Sequence, residues 1–471
     1  MKFKLSTYLF IAAASLMACV NSSKPNAESA VPATGKVLSY YPELPDWARS
    51  AVLYELNIRQ FSEEGNFQGV LAQLERLKNL GVDVLWLMPI HPIGQDRRKG
   101  SLGSPYSVVD YYAINPDFGT KEDLRALIQE AHRLGLKVIL DWVPNHTSWD
   151  AVWKQNHPEY YTKINGDFTN PLNEHGEPIE DWSDICDLDY QQAPTRLAMI
   201  EAMRYWVNEF DIDGYRVDMA GLVPEEFWHQ ARPALDTLKP LFFLSEWQDE
   251  PDHFNSFFHV NYGWKWKDVT KDIWSGKQNA ISLDTLHQFL GSFYPPHYAQ
   301  LYFTQNHDEN SWSGTEVELY GASADVMNVL AFTWQGMPML YCGQEDGLNK
   351  RIKFFDKDPI RWKKYARTPF FQKLINLRHQ NQALWTGKHG GPLEKFSSSD
   401  DKNIYAFGRE KEGDRVIVIA NLSKFSHTAT VQIPAGYDGN YADVFGANTM
   451  QITGEMRLSL KPWEYLVLTN K

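Results

Sequence analysis

The sequence predicts an α/β protein: a (β/α)8 barrel with a short loop-rich domain inserted after the third strand and an antiparallel β-sandwich at the C-terminus. Three observations predict it. Short apolar strands alternate with amphipathic helices through most of the 471 residues, the mark of a parallel sheet, and eight such units close a TIM barrel. Acidic and histidine residues stand just past the strand ends, the face on which a barrel gathers side chains from different strands. Beyond about residue 390 the pattern turns to short alternating strands with polar turns.

The strands are expected at 51–56, 82–88, 136–140, a stretch running into Arg216-Val217-Asp218, 241–244, 300–304 and 337–341, with 257–262 the candidate for the sixth. A helix between the first two puts Val70, Leu71, Leu74, Leu77 and Leu80 on one face. Two more carry Leu124, Leu127, Ile128, Ala131 and Leu134, and Ile200, Met203, Trp206, Val207 and Phe210. The barrel is placed at 47–390, the insertion at 147–190 and the C-terminal domain at 391–471, where strands are read at 404–408, 415–420, 429–433 and 465–469.

Composition narrows the function. Hydrophobic residues at 43% and charged residues at 22% are ordinary for a globular chain. A net charge of −13 without long Lys/Arg runs argues against a nucleic-acid partner. Three cysteines give no disulfide framework; Cys186 and Cys342 read as buried free thiols, with a pairing left open. The 17 tryptophans suit either a protein that stacks sugar rings or a Trp-rich core.

The first residues read as a targeting segment. A basic start, Met1-Lys2-Phe3-Lys4, precedes an apolar run too short to span a bilayer comfortably. It ends in Leu16-Met17-Ala18-Cys19, which resembles the lipobox of bacterial lipoproteins. That resemblance implies a signal peptide over 1–18, a lipid on Cys19 and a flexible tether over 19–46, hence an exported protein held to the cell envelope only by its lipid.

Past the strand ends stand Asp141, Asn145 and His146; Arg216 and Asp218; Glu246; His307 and Asp308. Glu246 follows Asp218 by about one strand–helix unit of ~30 residues, and Asp308 follows by about two more. The longer gap from Asp141 to Asp218 makes room for an insertion of roughly 45 residues.

Asp141-Trp-Val-Pro-Asn-His146, Gly214-Tyr-Arg-Val-Asp218, Phe243-Leu-Ser-Glu246 and Thr304-Gln-Asn-His-Asp308, in this order, resemble the four signature regions of the α-amylase family, glycoside hydrolase family 13. The resemblance implies Asp218 as the nucleophile of a covalent glycosyl-enzyme, Glu246 as the acid/base, and Asp308 as the third carboxylate, binding sugar hydroxyls. As proton donor, Glu246 is expected to keep its proton near neutral pH. The resemblance further implies His146 and His307 as hydroxyl ligands and Tyr106 as the platform under the reacting ring. Asp358 and Arg361 would grip its far hydroxyls. Arg216, two residues before Asp218 on a strand, points to the same face and would keep the nucleophile ionised.

The substrate class implied is a starch-like α-glucan or maltooligosaccharide, hydrolysed at α-1,4 bonds. Transglycosylation, exo-acting α-glucosidase action and a non-catalytic sugar-binding role are the alternatives. No cofactor is required by this chemistry. Calcium is the one group the resemblance brings in, with Asn145 and Asp187 matching two ligands; the Lys-His that many members carry after the nucleophile is replaced by Met219-Ala-Gly-Leu222.

Overall fold

Eight parallel strands close a barrel in the computed structural model, which describes residues 42–471. The signal peptide, Cys19 and nearly all of the tether lie outside the described residues. The strands run in chain order around the barrel: β1 (Leu53–Leu56), β2 (Val84–Leu87), β3 (Lys137–Trp142), β4 (Gly214–Val217), β5 (Phe242–Ser245), β6 (Val260–Tyr262), β7 (Gln300–Tyr302) and β8 (Gly336–Tyr341), which pairs back onto β1. Each expected strand is found, the sixth within its candidate stretch.

Strand alternation decides which residues meet inside. Leu53, Val84, Trp86, Ile139, Phe242, Leu244, Leu301 and Met339 fill the barrel interior. The next inward positions, toward the C-terminal ends, carry Glu55, Asp141, Arg216 and Glu246. Register fixes the neighbours: Asp141 lies opposite Arg216 across β3 and β4, and Arg216 lies opposite Leu244 across β4 and β5. Gly214 makes that register sterically feasible, because a Cβ there would sit 1.9 Å from the Phe242 carbonyl oxygen. Any larger residue would push β5 and its Glu246 away from β4.

Two expectations need correction. The helix expected to carry Val70 to Leu80 is two short helices, Phe67–Leu71 and Leu74–Leu80. Gln73 N–H bonds to the Val70 carbonyl, a tighter turn that interrupts the α pattern while leaving Val70, Leu74, Leu77 and Leu80 buried. The C-terminal domain has eight strands rather than four: β9 (Leu393–Phe396), β10 (Ile404–Lys411), β11 (Asp414–Asn421), β12 (His427–Gln432), β13 (Gly439–Asp443), β14 (Thr449–Ile452), β15 (Glu455–Leu460) and β16 (Tyr465–Thr469). Six form one antiparallel sheet, and β12 pairs with β15 in a separate ribbon. Val431 and Leu460 of the ribbon share a core with Ile417, Ile419 and Leu468 of the sheet.

Arg409 on β10 ties this domain to the barrel. It is fully buried and donates to the carbonyls of Trp334 (2.8 Å), Gly391 (2.9 Å) and Trp385 (3.1 Å). Cys186 and Cys342 are both free and buried. Many tryptophans serve the core: Trp86, Trp142, Trp206, Trp228, Trp266 and Trp334 are all fully buried.

Between β3 and β4 the insertion opens with a ribbon pairing His146–Ser148 with Ile185–Asp187. It carries a second small ribbon, Lys163–Ile164 with Asp167–Phe168. The loop after β2 lies against it and brings Tyr106 over the barrel mouth.

Candidate active site

Arg216 is the centre of the site. It has no exposed surface, and one guanidinium meets three carboxylates: Nη1 lies 2.7 Å from Asp141 Oδ1 and 3.0 Å from Asp218 Oδ1, and Nη2 lies 2.6 Å from Glu246 Oε1. Trp86, Tyr106 and Tyr262 surround it with aromatic faces at 5.0, 5.6 and 5.6 Å. A cation so desolvated is held only by anions of matching geometry, and β3, β4 and β5 each supply one.

Asp218 and Glu246 are hydrogen-bonded to each other. Burial, then the Glu246 charge, holds the Asp218 carboxyl well above the usual range, against the pull of Arg216. Two carboxyl groups in contact share one proton. The backbone helps hold Glu246: Met219, at a left-handed φ of 45°, donates its N–H to Glu246 Oε2 (3.1 Å).

A second chain of contacts holds His307. Its Nδ1 pairs with Glu55, and its Nε2 lies 2.9 Å from the Tyr106 hydroxyl and 3.2 Å from Asp308 Oδ2. Burial opposes a charge there, but Asp308 and Glu55 outweigh it and raise the imidazole to about 9, so it is protonated. Tyr106 in turn donates to Asp141 Oδ2 (3.0 Å), as does Trp86 Nε1 (3.1 Å). Burial lifts Asp141 to about 6, although Arg216 and His307 pull it down. The chain Glu55–His307–Tyr106–Asp141–Arg216 sets the neutral Tyr106 hydroxyl between a cation and an acid and fixes the Tyr106 ring, stacked on His307 at 5.4 Å. Asp308 is the most open of the three expected carboxylates, with its side chain 35% exposed.

His146 borders the site, buried and neutral; burial pushes it down to about 3, and its ring lies 6.0 Å from that of Trp182. Asp358 and Arg361 do not meet. Asp358 pairs with Lys350, its backbone N–H bonds Gln60 Oε1 (2.6 Å), and Arg361 is exposed. The nearer lysine takes the carboxylate, so the two side chains are not paired with each other.

Sequence reasoning gave no role to Asp141, Glu55, Trp86, Tyr262 or Phe354. Asp141 stands in a motif at a strand end, and Glu55 carries a signal of its own: a single carboxylate at an inward position of an otherwise apolar strand.

The calcium ligands also fail to assemble. The Asp187 carboxylate accepts from the Thr162 hydroxyl and the Leu172 backbone, and burial raises it to about 7. The Asn145 side-chain Nδ2 lies 3.4 Å from His146 Nδ1, and the Asn145 backbone carbonyl accepts from Leu188 N–H (3.2 Å). Among the described residues no three His, Cys, Asp or Glu side chains come together as a metal group. One carboxylate and one amide fall far short of the six to eight oxygens calcium takes. The residues do not fit the ion. Treatment with EDTA should therefore leave activity nearly intact and move Tm only slightly; loss of activity restored by calcium alone would show a site built from other oxygens.

Comparison with known proteins agrees with this geometry. A family model described as alpha amylase, catalytic domain, matches residues 46–368, and one described as maltogenic amylase, C-terminal domain, matches 395–467. "Alpha-amylase MalA" of Haloarcula japonica is 27% identical over 416 residues, 84% of this chain but 58% of its own length. A noncanonic maltogenic alpha-amylase, AmyB, from Thermotoga neapolitana superposes with a TM-score of 0.80 at 28% identity, covering 89% of this chain and 98% of that one. An alpha-amylase from Lactobacillus plantarum gives 0.77 at 30% identity, with 90% and 100% covered. With Asp218, Glu246 and Asp308 past the ends of β4, β5 and β7 of a closed barrel, and with the catalytic-domain match spanning more than half its length, this chain belongs to the α-amylase family of glycosidases.

Proposed function

We propose that this protein is a retaining glycoside hydrolase that cleaves α-1,4 bonds of starch-like glucans or maltooligosaccharides. The observation that carries the mechanism is the contact between Asp218 and Glu246 on one guanidinium. Inverting enzymes need their carboxyls ~6.5–9.5 Å apart to seat a water between them. Two carboxyls in hydrogen-bond contact leave no such room, so one of them must attack. The substrate class rests on the α-amylase and maltogenic-amylase relatives.

Glu246 gives its proton to the glycosidic oxygen as that bond breaks, and Asp218 forms the bond to the anomeric carbon. Glu246, now a carboxylate, takes a proton from water, which displaces Asp218 and restores the original configuration. Tyr106, braced by His307, lies under the reacting ring, and Asp308 reaches its hydroxyls. Two inversions make the first-formed product the α-anomer. Proton NMR of fresh digests of maltoheptaose checks this; β-anomer as first product would overturn the retaining reading.

We also propose that the protein is exported and lipid-anchored at Cys19. Expressed in a bacterial host, the wild type should fractionate with membranes and take up labelled palmitate, and Cys19→Ser should lose both. A soluble, unlabelled wild type would leave the segment a plain export signal.

A further inference from the structure

Trp312 is the one exposed tryptophan among the described residues. Its residue is 52% exposed, only a few residues past Asp308. It lies in a single π-turn, Glu309–Ser313, closed by Gly314 N–H on the Glu309 carbonyl (2.8 Å). Such turns cost hydrogen-bond geometry and are frequent at functional sites.

The ring is not isolated. Its centroid lies 5.2 Å from Phe354 and 5.7 Å from Phe355, and Phe354 stacks on Tyr106 at 6.2 Å with planes 12° apart. A continuous aromatic surface therefore runs from the platform under the reacting sugar out to solvent at Trp312. It is also held in place. Buried Asn310 accepts from Ile352 N–H (2.8 Å) and donates to the Lys350 carbonyl (3.2 Å), stitching the π-turn to the loop after β8. Leu102 N–H bonds the Phe355 carbonyl (3.0 Å), and Arg59 reaches the Phe354 carbonyl. Rings fixed in advance lose little entropy when a ligand stacks on them.

The barrel tells which sugar this surface meets. Glu246, at the end of β5, protonates the leaving oxygen, so the leaving group lies on the β5 side. Phe354 follows β8, which pairs with β1, on the opposite side of the ring of strands. That is the side of the sugar retained on the enzyme.

We propose that Trp312 with Phe354 forms a stacking subsite for the sugar attached to the non-reducing side of the reacting one. Trp312 is then a specificity-determining residue favouring substrates that carry at least two sugars ahead of the cleaved bond. The inference rests on the hydrolase reading and deepens it.

Activated fluorides test it, because both share one leaving group. α-Maltosyl fluoride reaches the subsite and α-glucosyl fluoride does not. Wild type should prefer the maltosyl compound in kcat/KM. In Trp312→Ala the maltosyl-to-glucosyl ratio should fall about tenfold, equivalent to ~1.4 kcal/mol, and Trp312→Phe should recover most of it. A ratio like that of the wild type, whether both rates fall together or neither moves, would overturn the subsite and leave Trp312 a structural or partner-binding ring. Failure of the wild type on both fluorides and on maltooligosaccharides would instead sink the hydrolase reading.

Discussion

Asp218→Asn and Glu246→Gln should each lower kcat on maltooligosaccharides by at least ~10³-fold, and the two losses should part company on an activated substrate. Fluoride leaves without a proton, so Glu246→Gln should still form the glycosyl-enzyme from α-maltosyl fluoride, releasing a burst of fluoride and stalling where water must be activated. Asp218→Asn has no nucleophile and should give no burst. Both amides match the shape of the acids they replace, and circular dichroism and Tm should show the fold retained. A burst from the Asp218 variant, or its absence from the Glu246 variant, would mean that the roles are exchanged. The geometry argues against exchange: Glu246 rests on the Met219 N–H, a fixed donor to its charged form after proton transfer. Asp218 shares Arg216 with Asp141 and sits one residue past β4, its N–H bound to the Trp142 carbonyl (2.8 Å).

These residues were legible because function put them where periodicity already marked a strand end. Asp141, Arg216 and Glu246 continue the inward alternation of β3, β4 and β5, so a run of apolar residues pointed at each. Glu55 does the same on β1, but a lone carboxylate in a short strand has no partner in the sequence; the partner, His307, lies 252 positions away. Phe354 and Trp312 were illegible for another reason. They stand in a loop and a π-turn, where no repeat relates spacing to direction. Asp358 stands in that same loop and pairs with Lys350, eight residues before it, rather than with Arg361, three after it. In the C-terminal domain β13, β14 and β15 went unread because each buries only one or two side chains; Tyr441 alone is buried on β13. Strands exposing most of one face carry little apolar signal.

Arg216→Leu should be the most damaging single change outside the acids themselves. It leaves Asp141, Asp218 and Glu246 buried without the guanidinium they share, with His307 the remaining cation acting on Asp141, and stranding a buried charge costs about 3–5 kcal/mol. The cost should depend on pH with a definite sign. Asp141 and Asp218 already lie above the ordinary carboxylate range through burial, Asp141 at about 6, with Arg216 pulling both down. Without Arg216 both rise further. A carboxyl whose folded pKa exceeds its unfolded value favours the fold while protonated, and that contribution is lost as pH rises through the folded pKa. The Tm deficit of Arg216→Leu against wild type should therefore be large at pH 8 and distinctly smaller at pH 5. Equal deficits at both would show that the side chain supports the site by packing against Trp86 and Tyr262 rather than by charge. Arg216→Lys separates the two contributions. It restores one positive charge, but a single ammonium cannot span three carboxylates held by a planar fork. Its stability should fall between leucine and wild type, with kcat still reduced at least ~10²-fold, because the distance from Asp218 to Glu246 is set by the two arms of one guanidinium.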